Sequence, residues 1–247
     1  GTTAAEGEGA PPAELTGAVA ELQRSGPLPI LTGSGCPVSI PVRPSGSLAS
    51  GFMEFAVDQV ARHLSIVDSQ LFRAIQPKEL LRKAWNTPKL KHLAPNVLAA
   101  SAHFNAIAAW VIWGVTYEPT LRERAKVLLR FIEVGVECYR LQAFCSAQEI
   151  LAALNATPVR RLENTWKEMR SLAKRDLLQR WEELTSALSF DSNWAAPLAL
   201  LTRTEPPCVP YLGIFLTRLV KLEEGMPDTL AVEHPSASAE ASAAPIL

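Results

Sequence analysis

The chain has 247 residues, a formal charge of −1 at neutral pH and 48% hydrophobic residues. That is enough for one large domain with tails, and the balanced charge argues against both a nucleic-acid binder and an acidic solvating chain. Four cysteines, Cys36, Cys138, Cys145 and Cys208, form no CxxC pair, so the usual zinc and redox motifs are missing.

Residues 1–48 are rich in Gly, Pro, Ser and Ala, keep no period, and read as a disordered or linker segment. From Phe52 the character changes: Phe52, Phe55, Val60, Leu64, Val67, Leu71 and Ile75 recur at helical spacing. Pro77 then opens another helix at a tolerated first-turn position. Lys89 and Lys91 lie in a connector, and a long helix runs from Pro95 to about Gly114. Its apolar segment Val97–Val115 is interrupted by His103 and Asn105, so the spacing predicts a core helix and no transmembrane segment.

Thr120 and Glu123 form a capping box that starts a helix reaching about Leu141. Ser146 and Glu149 have the same spacing and predict a second box, with a helix ending near Asn155. Thr157 reads as an N-cap with Pro158 at N1, and an amphipathic helix is expected from Val159 through Trp181. A break at 189–192 precedes a short apolar stretch to Leu201. Glu205–Pro210 is a stiff turn, and Tyr211–Glu224 a helix stopped by Gly225. Residues 229–247 read as a disordered tail. No strand-like alternation appears in the core, so the fold class is all-α.

No P-loop, dinucleotide fingerprint, nucleophile elbow or His-Glu-x-x-His occurs, and the histidines at 63, 92, 103 and 234 are scattered. No metal or cofactor site is expected. A helical domain without a catalytic motif points to protein recognition.

Four blocks resemble the catalytic domain of Ras-family guanine nucleotide exchange factors of the Son of sevenless type. The first is Ala61–Asp68 running into Leu71–Leu80; the second is Trp85 with Lys89–Leu98. The third is Leu121–Leu128 leading to Leu154–Leu162, and the fourth Pro206–Thr217 through Glu223-Glu224-Gly225. Their order and spacing follow the family from about residue 52 to 228, which places an exchange domain at 49–228. The resemblance implies an all-helical bowl from which a helical hairpin projects. The hairpin displaces switch I of a Ras-like small GTPase while the bowl grips switch II, with no covalent chemistry and no cofactor.

The resemblance also implies residue roles. Asn155 matches an asparagine that contacts the switch region; a helix C-terminal residue in the left-handed conformation is the alternative. Glu224 matches the hairpin carboxylate that competes for contacts made by phosphate. It also sits at a helix C-terminus, where the macrodipole disfavours an anion by roughly 0.3–1 kcal/mol; the alternative is a solvated pair with Glu223. Val220, one turn earlier, matches an apolar residue pressing on the magnesium site, or else packs in the core. Thr217 matches a switch II contact, or is a plain surface hydroxyl. Trp194 and Tyr211 fall where the family lines a pocket for a switch II tyrosine, and Pro158 falls on the GTPase-binding side of the third block.

Ala102 and Gln148 stand where some family members carry a basic and an apolar contact residue. After Asp228 the family continues into a second hairpin helix, whereas Thr229 onward reads as tail, so the hairpin is expected to be incomplete and the domain C-terminally truncated. This keeps open a non-catalytic GTPase-binding module, and beyond it a helical scaffold with no GTPase partner. The blocks are shared by readers of Ras, Rap and Ral. The expected location is cytoplasmic, with recruitment to the inner membrane surface left to regions outside this chain.

Overall fold

The structure, a computed structural model, describes residues 52–225. The linker and tail assigned to 1–48 and 229–247, and the hairpin beyond 225, lie outside the described residues. Within them the chain forms nine α-helices: α1 Val57–Ala74, α2 Pro95–Tyr117, α3 Leu121–Arg140, α4 Phe144–Asn155, α5 Thr157–Arg160, α6 Glu163–Leu172, α7 Arg175–Ala187, α8 Asp191–Arg203 and α9 Leu212–Gly225. Two 3₁₀ segments, Pro77–Lys83 and Lys91–Leu93, form an elbow between α1 and α2. The described residues contain no strand, only an isolated bridge between Ala143 and Val209. The fold is all-α, as the absence of alternation predicts.

α3 is the central helix and packs against α1, α2, α4, α6 and α7. Val127, Leu128, Phe131, Ile132 and Val134 on it are fully buried. Each such side chain contributes about 1.5–3 kcal/mol relative to exposure. Phe131 stacks on Phe52 at 4.6 Å between ring centroids and meets Trp110 edge-on at 4.9 Å. Gly135 lets neighbours approach closely: a Cβ there would lie 3.2 Å from Trp181 and 3.3 Å from Ile150. Thr120 caps α3, its hydroxyl accepting from the Glu123 amide at 3.3 Å; this is one half of the expected box, and the Glu123 carboxylate accepts from Lys126 Nζ at 2.9 Å.

α2 is long and apolar enough to cross a membrane by length and composition. One face of it, Val97, Phe104, Ile107, Ala108, Val111 and Val115, is buried in the protein.

Two expected helices are corrected. Ser146 is no N-cap. α4 begins at Phe144, and Ser146 and Glu149 point inward, with the Ser146 hydroxyl donating to Asp68 on α1. The capping spacing is there, but the side chains are claimed by a core partner 78 residues away. The expected helix from Val159 to Trp181 is three helices, α5, α6 and α7. Leu162 (ψ 59°), and Ala173 and Lys174 (ψ 143° each), leave the helical region. These turns let both α6 and α7 pack on α3. Pro158 stands at the second position of α5, behind an Ala156 N-cap, rather than at the first position behind Thr157.

A second, smaller core lies under the elbow. Ala84, Ala94 and Val97 are buried there, with Ile75, Leu80, Trp85 and Leu90 against them. α9 adds Leu212 and Leu216 to this core. Buried Glu79 holds the elbow to α2. Its carboxylate accepts from the amides of Gln76 (3.1 Å), Asn96 (2.8 Å) and Val97 (3.2 Å), and from Asn96 Nδ2 (2.7 Å). A carboxylate borrowed from the elbow thereby caps the N-terminus of α2, satisfying orphan amides and the positive end of the helix dipole. Burial pushes the Glu79 pKa up, but these hydrogen bonds outweigh it and hold the group below the usual carboxylate value.

Candidate functional site

α9 starts from a fixed point. The stretch before it, Glu205–Pro210, contains a cis Pro206–Pro207 bond and is tied to the start of α4. The Val209 amide donates to the Gln142 carbonyl (2.9 Å), and the Cys145 amide donates to the Val209 carbonyl (3.1 Å). With its nitrogen turned toward this strap, the Gln142 side chain donates to the carbonyls of Pro207 and Glu205, both at 2.9 Å. Tyr211 then folds back over the first turn of α9. A Cβ on Gly213 would come within 2.4 Å of the tyrosine ring, so a larger residue there would push Tyr211 out of this position.

Beyond that point α9 is thinly packed. Ile214 is its one buried residue, and Phe215 and Leu222 are exposed. Thr217, Val220 and Glu224 are spaced to lie along one stripe of the helix. The Thr217 hydroxyl donates to the Gly213 carbonyl at 2.8 Å. Val220 is half-buried, and Glu224 is exposed at the end of the helix. Glu224 is not simply solvated, since its Oε1 accepts from Lys83 Nζ of the elbow at 3.1 Å.

Trp194 and Tyr211 come together, with ring centroids 5.5 Å apart. Phe190 meets Trp194 edge-on at 4.4 Å, and Phe104 lies 5.2 Å from Tyr211. Trp194 is buried and adopts a left-handed backbone (φ 66°), a conformation bulky residues rarely hold. The two rings line a small apolar cavity whose wall also includes Phe144, Leu188, Ile214 and Gln148. The free space in it is about 10 Å³, roughly one water. Gln148 is buried, and its Nε2 has no hydrogen-bond partner.

The RasGEF domain family matches residues 59–240. Over 177 residues the chain is 39% identical to Ras guanine nucleotide exchange factor J of Dictyostelium discoideum, covering 70% of this chain and 21% of that protein. It is 35% identical over 205 residues to exchange factor E of the same organism, covering 83% of this chain and 20% of the relative. With exchange factor A it shares 30% over 186 residues, covering 74% and 30%. The chain belongs to the RasGEF domain family. It spans about a fifth of the length of exchange factors J and E.

Asn155 and Pro158 sit at the junction of α4 and α5 in this RasGEF domain, and neither lines the aromatic cavity. Asn155 is exposed and is not in the left-handed region; α4 ends instead on an extended Ala156. Three features of the domain escape sequence reasoning: Lys83 beside Glu224, the Gln142 brace, and a buried polar cluster between α1, α2 and α4.

In that cluster Asp68, Ser146 and Glu149 are all buried. Burial pushes the Asp68 carboxyl up to about 6, against hydrogen bonds from Ser146, Glu149 and Cys145 that pull it down. Burial, and then the charge of Asp68, drive Glu149 well above the ordinary range. As two carboxylates, the Glu149 oxygens have no partner. With a proton on Glu149, the contact with Asp68 becomes a hydrogen bond. His103 Nε2 lies 3.5 Å from Asp68 without bonding it, and burial lowers its pKa, leaving the ring neutral. Asp68, Cys145 and Glu149 offer ligand atoms within 4.8 Å of one another. A shared proton already accounts for this arrangement, and the Cys145 thiol is held protonated by burial.

Proposed function

We propose that this domain promotes GDP release from a Ras-like small GTPase, with α9 displacing switch I and the bowl holding switch II. What supports the reading is α9 itself. In a RasGEF domain, a helix with one buried residue carries Thr217, Val220 and Glu224 along one stripe, next to an aromatic cavity formed by Trp194 and Tyr211. Exchange of this kind makes no covalent bond. Exchange factor and nucleotide lower each other's affinity for the GTPase, a reciprocal coupling. The biased element is the pair of switch loops held by phosphate and magnesium. In this reading Val220 presses on the magnesium site, whose ion is the largest local positive charge holding the phosphates. Glu224 competes for the contacts the phosphate made, Thr217 and Asn155 contact the switches, and the Trp194–Tyr211 cavity, which has room for about one water in the free domain, opens to receive a switch II side chain.

The test is release of a fluorescent GDP analogue from a panel of Ras-, Rap- and Ral-type GTPases. Acceleration of one of them establishes the activity and names the target. Binding without acceleration selects a non-catalytic GTPase-binding module instead. Glu224→Ala is expected to slow release by roughly tenfold or more, a loss of about 1.4 kcal/mol of transition-state stabilisation. Its melting temperature should stay near that of the parent, because the side chain is exposed. Unchanged release together with a collapsed melting temperature sinks the role given to Glu224.

A further inference from the structure

Lys83 is the residue that meets the carboxylate at the end of α9, and it comes from 141 positions earlier in the chain. Its own placement is heavily constrained. Arg82 and Lys83 both adopt left-handed backbone angles, φ 56° and 49°. Non-glycine residues hold that conformation only where the surroundings over-determine it. Here they do. The Lys83 carbonyl accepts from the Asn86 amide (2.9 Å), the Thr87 amide (3.0 Å) and the Thr87 hydroxyl (3.1 Å). Ala84, the next residue, is buried in the small core that Leu212 and Leu216 of α9 complete. The elbow therefore fixes the lysine and the root of α9 in one frame.

The charges fit the same picture. Residues 73–91 carry Arg73, Lys78, Arg82, Lys83, Lys89 and Lys91, and the acid among them, Glu79, is buried and spoken for by α2. Of these cations Lys83 is the one that bonds Glu224. Its side chain is 28% exposed against 61% for the glutamate, so the ammonium is the more confined partner. The C-terminal end of a helix repels an anion. A pinned cation offsets that repulsion and limits the directions the carboxylate can take.

We propose that Lys83 is a positioning residue for nucleotide exchange: it fixes the Glu224 carboxylate at the end of α9 in the direction from which it acts on the GTPase. The proposal rests on the role of Glu224 given above. An exposed ion pair contributes little to stability, so the role of Lys83 lies in geometry. Pre-organised side chains raise the rate of a step without new contacts to the reacting partner.

The experiment measures release of the fluorescent GDP analogue from the responsive GTPase over a range of concentrations of the full chain. The variants are Lys83→Met, Lys83→Arg, Glu224→Gln and the double variant Lys83→Met/Glu224→Gln. Lys83→Met is expected to lower the maximal release rate three- to tenfold, with the half-saturating concentration within twofold and the melting temperature nearly unmoved. Lys83→Arg should recover at least half of the rate. In the Glu224→Gln background, Lys83→Met should cost less than twofold more, because the group it positions is gone. A slow Glu224→Gln beside a normal or faster Lys83→Met overturns the positioning role alone; the faster outcome would make Lys83 a latch. An equal cost of Lys83→Met in both backgrounds also overturns it. Glu224→Gln at the parental rate overturns the role of Glu224, and the proposal with it.

Discussion

Around α3, Asp68 and Glu149 are buried together with too few donors, and one proton must be shared between them. Under the elbow, Glu79 is buried with four donors and stays ionised. Burial acts in the same sense on all three groups; what differs is the supply of hydrogen bonds. A helix N-terminus is a dense source of amides, and Glu79 is aimed at one. Asp68 and Glu149 face each other between helix flanks, where backbone amides are already used. A buried acid is therefore a clamp in one region and a pH-sensitive weakness in the other.

The largest effect is expected from Glu79→Ala. It leaves the buried Val97 amide and the half-buried Asn96 amide without this partner, at a cost of roughly 1–3 kcal/mol each. Because α9 rests on the same small core, nucleotide release should fall as well. Urea unfolding at pH 7 checks the first part. A midpoint change under about 0.5 kcal/mol would mean that water replaces the carboxylate, and the contrast with Asp68 would fade.

The next effect is in the pH profile. Asp68 has its folded-state pKa raised from an ordinary 3.8 to about 6. A raised acid contributes stability below its unfolded value, and that stability is lost as pH rises through 6. The shift corresponds to about 3 kcal/mol at most. Glu149 has the same sign over a higher window. Glu79 is lowered, so its contribution is lost only as pH falls below its ordinary 4.5. The domain should therefore unfold at a higher urea concentration at pH 5 than at pH 8. Asp68→Asn, which keeps an acceptor for Ser146, should flatten that difference. Equal or greater stability of the parent at pH 8 would contradict the shared proton.

The same contrast explains what could be read in the sequence. The apolar spacing from Phe52 to Ile75 is local, and its middle part becomes α1, where Ala61, Leu64 and Val67 are buried; Phe52, Phe55 and Ile75 fall outside the helix, and Phe55 is exposed. Thr120 caps α3 because its helix start is open to solvent and its nearest donor is the Glu123 amide. Ser146 and Glu149 have the same spacing, yet their partner is Asp68, and nothing local marks a helix start as buried. The breaks after Arg160 and Leu172 carry no Gly or Pro; they arise because α6 and α7 both return to α3. Trp194 and Tyr211 were paired through the family resemblance, and their rings do meet. Lys83 had no signal, since a contact across 141 residues leaves no periodicity to detect.

The smallest expected effect concerns Gln148, the polar group that neither region satisfies. Its Nε2 is buried without an acceptor beside the Trp194–Tyr211 cavity. Leaving such a donor unpaired costs on the order of 1–3 kcal/mol, and replacement by an apolar group of similar shape removes that cost. Gln148→Met should therefore stabilise the isolated domain by about 1 kcal/mol, or about 2–4 °C in melting temperature. A lower melting temperature would mean that a water in the cavity already serves the amide. If the variant is more stable but needs a higher concentration to accelerate nucleotide release, the amide is held unpaired for an acceptor on the partner. The cavity would then combine aromatic shape with one polar demand, and stability in the free domain would be traded for recognition in the complex.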